Sequence, residues 1–231
     1  MEQHLRSGLE SLGLPAEGVP ALLSFGEQLL ETNKVMNLTA ITDPADVATL
    51  HFLDCAALLS LADFRDKTVA DIGTGAGFPG MPLRILEPKV HMTLLDSLNK
   101  RIDFLKEVCT DLGLDDVNCV HARAEEFAAD HRESFDIVTS RAVANLQVLC
   151  ELCLPLVKTG GTFLAMKSVA SGDELDDAET AIETLGGKVD RIVDYTIPGT
   201  CVSHRLIFIK KVRETPGKYP RPFAKIKKAP L

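Results

Sequence analysis

The stretch Val69-Ala70-Asp71-Ile72-Gly73-Thr74-Gly75-Ala76-Gly77-Phe78-Pro79-Gly80 limits what this chain can fold into more than any other. A short apolar run ends at an acid, passes through a glycine-rich turn and opens a helical pattern, with Pro79 suited to the helix start. Glycines in such a turn let the backbone approach a bound molecule with no Cβ in the way. The spacing Gly75-x-Gly77-x-x-Gly80 matches a dinucleotide fingerprint, and Asp96 follows at the distance expected of a ribose-binding acid. The pattern fits two ligands, a nicotinamide or flavin dinucleotide and S-adenosylmethionine. Charge separates them. A pyrophosphate would lie close to the Asp71 carboxylate, whereas the sulfonium and ammonium of S-adenosylmethionine are attracted to it.

The rest of the chain supplies the sheet that such a turn needs. Apolar runs at 68–72, 91–96, 117–121, 135–139 and 161–166 alternate with helical patterns at 79–87, 98–112, 122–129, 144–157 and 173–185. That alternation predicts an α/β fold with a parallel sheet covered on both faces. Two further runs, 188–195 and 204–209, are separated by little more than Pro198-Gly199. The connection is too short for a parallel crossover, so the last strand is expected to run antiparallel. The first sixty residues read as helices. Leu5, Leu9 and Leu12 recur at helical spacing, as do Leu22, Phe25 and Leu29, and Asp43-Pro44 caps a third helix carrying Val47, Leu50, Leu53, Ala57 and Leu58 inward. The expected organisation is one structural domain: a helical extension over 1–62, a Rossmann-like core over 63–212 and a tail over 213–231.

The 231 residues are 45% hydrophobic and 25% charged, the composition of a globular protein. No apolar run approaches the ~20 residues needed to span a bilayer. The opening Met1-Glu2-Gln3-His4 lacks the order of a secretory signal, so a cytoplasmic location without membrane contact is expected. The net charge of −8 is unevenly spread. Residues 205–231 hold nine Lys and Arg against one acid, Glu214, while residues 1–204 hold 16 basic and 32 acidic residues. A basic, proline-containing tail on an acidic body is the pattern of a nucleic-acid handle. Six cysteines include one close pair, Cys150 and Cys153, with no second pair and no histidine cluster nearby; they are read as core thiols, and no metal is expected.

Several segments resemble one family in particular, the small-subunit ribosomal RNA methyltransferase G family, also called glucose-inhibited division protein B. They are Asn37-Leu38-Thr39-Ala40-Ile41, His51-Phe52-Leu53-Asp54, Asp71 to Pro82, Leu95-Asp96-Ser97, Arg123-Ala124-Glu125-Glu126-Phe127, Ser140-Arg141-Ala142-Val143-Ala144 and Pro216-Gly217-Lys218-Tyr219-Pro220-Arg221, in order along nearly the whole chain. The sequence departs from the family pattern at Thr32, Cys55 and Pro222. The resemblance implies a class I methyltransferase with a seven-stranded, mostly parallel sheet, acting as a monomer. Its donor would be S-adenosylmethionine, its target N7 of a guanine in 16S ribosomal RNA, and its partner that RNA or the small ribosomal subunit. Carried across, Gly73 and Phe78 lie against the cofactor, Asp96 falls at the ribose position, Ala124 and Glu125 border its adenine, and Arg141 stands at the junction with the substrate; Gly75 and Asp71 join the cofactor set from the reading of the loop itself.

The chemistry implied matches what the sequence lacks. Guanine N7 presents a lone pair, so methyl transfer needs alignment and desolvation but no deprotonation. No Asn/Asp-Pro-Pro-aromatic sequence and no nucleophilic Cys follow the fourth strand, where Thr139-Ser140-Arg141-Ala142 stands instead. No residue is therefore singled out as a chemical catalyst. Arg123, Arg141 and Lys167, at strand ends, are candidate substrate-side cations. His51 and Asp54 are placed by i, i+3 spacing to cap the site or to pair with each other. Lys218 and Arg221 would neutralise phosphates, and Tyr219 and Phe223 would stack on unpaired bases from an extended tail. Deleting residues 213–231 is expected to spare cofactor binding and weaken RNA binding.

Overall fold

The computed structural model describes residues 1–141, 144–169 and 172–231. Its strands are β1 (Thr68–Ile72), β2 (His91–Asp96), β3 (Asn118–His121), β4 (Phe135–Arg141), β5 (Val157–Ser168), β6 (Gly187–Thr196) and β7 (Ser203–Lys211). They form one sheet in the order β3-β2-β1-β4-β5-β7-β6. The first five run parallel, and β7 pairs antiparallel with β5 on one side and β6 on the other. The expected α/β architecture with an antiparallel last strand is what the chain adopts.

Both faces of the sheet are buried, and alternation along each strand divides its residues between them. Val69, Leu94, Ile137 and Leu206 belong to one cluster; Ala70, Leu95, Val138 and Ile207 belong to the other. The first face is covered by α5 (Gly80–Leu86) and α6 (Asn99–Asp111) together with the N-terminal helices α1 (Glu2–Ser11) and α2 (Val19–Met36). The second is covered by α7 (Ala124–Asp130), α8 (Leu146–Cys153) and α9 (Gly172–Thr184). The N-terminal segment is thus part of the main core: Phe25 and Phe52 stack at 5.5 Å, and Phe25 meets Phe104 of α6 at 6.4 Å.

The third N-terminal helix begins as foreseen. Asp43 Oδ1 accepts from the amides of Ala45 and Asp46, with Pro44 at the first helical position. It runs through α3 (Pro44–Asp46), a π-helical stretch from Val47 to Leu53, and α4 (Asp54–Leu61). A π-helical turn inside a helix commonly marks a functional position, and this one carries His51. By length and composition Pro44–Leu61 could cross a bilayer, a feature the sequence reading did not register. Its burial against α1 and the aromatic core, and the ion pair made by Asp54, identify it as a core helix.

The expectation of an extended basic tail is corrected. Lys211 is buried, and its ammonium donates to the carbonyls of Leu154 (2.6 Å) and Val157 (3.1 Å) beside Glu133 (3.1 Å). Arg132 clamps the next stretch by donating to the carbonyls of Thr215 and Tyr219. Arg221 then forks onto Glu151 of α8, Nε to Oε1 at 2.8 Å and Nη2 to Oε2 at 2.6 Å, while its own amide donates to the same Oε1. Glu151 is fully buried, so this guanidinium compensates a charge that would otherwise be stranded in the core. The chain closes in α10 (Phe223–Lys228), pinned by buried Ile226. The strap is compact because its cations have buried acceptors waiting for them. Cys150 and Cys153 are buried free thiols whose ionisation is suppressed by burial, as expected.

Candidate cofactor site and the adjoining cavity

The turn after β1 is held from below. Asp71 is fully buried; its Oδ2 accepts from Thr74 Oγ1 (2.7 Å) and the Gly80 amide (2.9 Å), and its Oδ1 accepts from Thr139 Oγ1 (3.2 Å). Burial pushes this carboxyl up to about 6, against the opposing pull of those bonds. Asp71 therefore braces the turn and is not part of the cavity wall above it, which revises the charge argument drawn from its sequence position. The glycines also divide into two kinds. A Cβ on Gly80 would lie 2.2 Å from Leu94 Cδ2 and 3.0 Å from Asp71 Oδ2, and one on Gly77 would lie 2.7 Å from Met81 Cγ. These two glycines serve helix–strand packing. Gly75, at φ +62°, has only the Gly73 carbonyl near its missing Cβ, at 3.9 Å. Gly73 and Gly75 are the glycines of the triplet region that face a ligand space.

That space is a cavity of about 510 Å³, bounded by Gly73–Ala76, Thr39, His51, Phe78, Asp96 and Arg141, with Ser97, Leu98 and Arg101 at its edge. The Asp96 carboxylate, at the end of β2, accepts from the amides of Gly75 and Leu98 at 2.9 Å each and from Arg101 at 3.2 Å. A carboxylate offers about four acceptor positions, so capacity for a further donor remains. Opposite it, His51 stacks on Phe78 with ring centroids 4.4 Å apart, and the Arg141 guanidinium lies 4.8 Å from the centre of the same ring. Arg141 Nη2 meets His51 Nδ1 at 3.2 Å, and His51 Nε2 meets Thr39 Oγ1 at 2.8 Å. A guanidinium only donates, so Nδ1 accepts and the proton sits on Nε2. Burial, with the Arg141 charge, lowers the His51 pKa to about 4, in keeping with a neutral ring.

A second cavity, of about 450 Å³, shares His51 and Arg141 with the first and continues to Leu50, Asp54, Met166, Lys167, Glu174 and His204. Asp54 has no exposed surface and three donors: Arg141 Nη1 to Oδ2 (3.0 Å), and Tyr195 Oη and His204 Nδ1 to Oδ1 (2.8 Å each). Those bonds outweigh burial and hold its carboxyl below the usual range. Lys167 donates to the Ala144 carbonyl (2.8 Å) and pairs with Glu174 Oε2 (2.6 Å), which also accepts the Leu146 amide (3.0 Å).

The sequence-derived candidates separate accordingly. Gly73, Gly75, Phe78, Asp96 and Arg141 meet at the first cavity, and Lys167 and Arg141 at the second. Ala124 and Glu125 open α7 beyond β3 and lie outside the walls of both cavities; Glu125 Oε1 receives the Phe223 amide at 3.3 Å. Arg123, the residue preceding that helix, is exposed. Lys218 is exposed over the Tyr219 ring, whereas Tyr219 is only 7% accessible and Arg221 is engaged with Glu151; neither is set to meet the cavities. Ala142 and Val143 lie outside the described residues. Sequence reading missed Arg101, Glu174, Tyr195 and His204. Tyr195 and His204 face each other across the β6/β7 ladder, a pairing that the hairpin around Pro198-Gly199 could have exposed. Among the described residues no group of three His, Cys, Asp or Glu is arranged for a metal.

A glycine-floored cavity with a carboxylate on one wall and an aromatic–guanidinium pair on the other, at the strand ends of this sheet order, defines the class I methyltransferase type. Solved structures share that fold. Precorrin-6y C5,15-methyltransferase from Geobacter metallireducens matches with a TM-score of 0.51 and 19% identity, over 68% of this chain and 87% of that one. TYW2 of M. jannaschii in complex with AdoMet matches with a TM-score of 0.52 and 14% identity, over 64% and 70%. The particular family follows from closer matches: residues 19–200 match the family described as rRNA small subunit methyltransferase G, and the chain belongs to it. Its relatives named ribosomal RNA small subunit methyltransferase G include those of Alkaliphilus metalliredigens, 47% identical over 94% of this chain and 93% of that protein, and Clostridium botulinum strain Loch Maree, 48% identical over 90% and 89%.

Proposed function

We propose that this chain transfers a methyl group from S-adenosylmethionine to N7 of a guanine in 16S ribosomal RNA, acting as a cytoplasmic monomer. The observation that carries this reading, beside family membership, is the pair of cavities joined at His51 and Arg141. One is lined to hold the cofactor and the other to receive a base, so donor and acceptor meet at a wall built by one chain. When bound, S-adenosylmethionine supplies an electrophilic methyl group on a sulfonium. Asp96 suits the ribose hydroxyls, Gly73 and Gly75 give the backbone close approach, and Phe78 with His51 gives an apolar face. Ala124 and Glu125 would border the adenine only if the ligand reaches past the cavity walls described above. Asp54 holds Arg141 in place, and the neutral His51 packs on Phe78 without adding a second cation beside Arg141. The work of the site is alignment and exclusion of water, which is what attack by an existing lone pair requires. Arg123, Lys167, Lys218 and the lysines of α10 are the cations that would meet RNA.

Two measurements test this. S-adenosylhomocysteine is expected to raise the melting temperature by mass action, and NAD to leave it unchanged. Mass mapping of 16S RNA from cells with and without the protein is expected to show loss of one 7-methylguanine. Stabilisation by NAD, or an unchanged modification map, would sink the reading.

A further inference from the structure

The second cavity has two carboxylates, and their hydrogen bonding sets them apart. Asp54 has both oxygens engaged, with the Arg141 guanidinium on Oδ2 and Tyr195 and His204 on Oδ1. Its role is to fix that wall. The two bonds of Glu174, from Lys167 and from the Leu146 amide, both fall on Oε2. Its side chain is 34% accessible and stands among the lining residues, so Oε1 retains acceptor capacity. Lys167, 9% accessible, engages two acceptors and has a third donor. Leu50 and Met166 supply apolar surface between these groups. An apolar slot of this size with a few convergent polar groups is the construction of a small-ligand site.

We propose that Glu174 is the residue that selects guanine, by accepting hydrogen bonds from the N1–H and 2-amino group of the target base. The inference rests on the methyltransferase reading above. A purine that turns N7 and O6 toward the His51–Arg141 wall presents its opposite edge away from that wall, and in guanine that edge carries donors. Adenine has an acceptor at N1 and no 2-amino group, so it would leave the carboxylate facing a lone pair. Lys167 completes the arrangement by holding Oε2, which leaves Oε1 as the reading atom, and by offering a donor to a base carbonyl. Glu174 lies in the first turn of α9, 33 residues beyond Arg141 in sequence, and only the sheet brings the two to one cavity.

The test compares guanosine with inosine, which lacks only the 2-amino group. The methylated position is first mapped. Small subunits are then reconstituted with 16S RNA ligated to carry either nucleoside there, and kcat/KM is measured for the full-length protein. With the native protein, inosine is expected to lower kcat/KM about 10- to 100-fold, the loss of one hydrogen bond to a charged acceptor. In Glu174→Gln the guanosine-to-inosine ratio is expected to fall to within about threefold of one. Should the Gln variant fail to fold, as judged by stabilisation with S-adenosylhomocysteine, Glu174→Asp keeps the charge, shortens the reach and carries the same expectation. A variant that loses activity equally on both substrates, keeping the native ratio, would show that Glu174 only anchors Leu146 and Lys167, and would overturn the inference. A native protein that treats both nucleosides alike would overturn it too. Absence of any 7-methylguanine with the native protein would instead overturn the methyltransferase reading beneath it.

Discussion

At the residue scale the two histidines beside Asp54 respond to pH in opposite directions. Burial and the Arg141 charge lower the His51 pKa from 6.5 to about 4, so between those values the unfolded chain binds a proton that the folded chain refuses. Its contribution to stability is complete above about pH 6.5 and is lost as the pH falls toward 4. His204 is raised by its hydrogen bond to Asp54. It stabilises fully below its unfolded value of 6.5, and that contribution disappears as the pH rises through its folded value. Urea unfolding from pH 4 to 8 is therefore expected to show a shallower acid-side loss in His51→Gln than in the native protein. His204→Asn should be destabilised most below pH 6.5 and converge on the native protein as the pH rises. Parallel curves for either variant would mean that its imidazole has the same pKa folded and unfolded.

At the scale of elements, the turn between β1 and α5 can be taken apart by adding single methyl groups. Gly80→Ala places a Cβ 2.2 Å from Leu94 Cδ2 and against the Asp71 carboxylate; overpacking of that kind is expected to cost about 3 kcal/mol. Gly75→Ala meets nothing closer than 3.9 Å and carries only the strain of φ +62°, about 1 kcal/mol. Urea midpoints should separate the two variants, and titration with S-adenosylhomocysteine should show weakened binding in both. Strands and helices were legible because their periodicities are local: the runs at 68–72 and 91–96 match the strands residue for residue. The π-helical turn at Val47–Leu53 was not, since nothing in its composition distinguishes it from ordinary helix. The site was half legible. Gly75, Phe78, Asp96 and Arg141 lie in or near recognisable motifs, while Tyr195, His204 and Glu174 reach the cavities from elements far along the chain. Asp71 was placed at the right turn but on the wrong side of it, because the sequence does not say which way a strand-end side chain points.

For the whole molecule, the decisive quantity is where the cations of the strap come to rest. The Phe223 amide is tied to Glu125 at the start of α7, and Gln147 at the start of α8 donates to the Leu231 carbonyl at 3.3 Å. Both helices begin at the edge of the sheet where β3 and β4 end, which is the ligand edge. The exposed Lys225, Lys227 and Lys228 of α10 are therefore held near the starts of α7 and α8 by a folded support. Removing residues 213–231 would also remove Tyr219, Arg221 and Ile226 from their packing and strand Glu151, so that truncation tests stability before it tests RNA binding. Replacing the three lysines by Glu leaves those contacts in place. It is expected to weaken RNA binding and to reduce the slope of log K against log salt by about 2–3. An unchanged slope would move the RNA-binding surface elsewhere.

The position of β7 has a consequence for how the chain is made. β7 follows β6 in sequence yet lies between β5 and β6, and among the described residues it is the only strand to which β6 is hydrogen-bonded. During synthesis from the N-terminus, β6 leaves the ribosome with no place to dock, and β5 waits with a bare edge until residues 203–211 emerge. A chain halted before that point exposes the bare edge of β5 and an unpaired β6, the kind of surface that recruits other chains. Assembly of this sheet is thus completed from within, by its last strand to be translated.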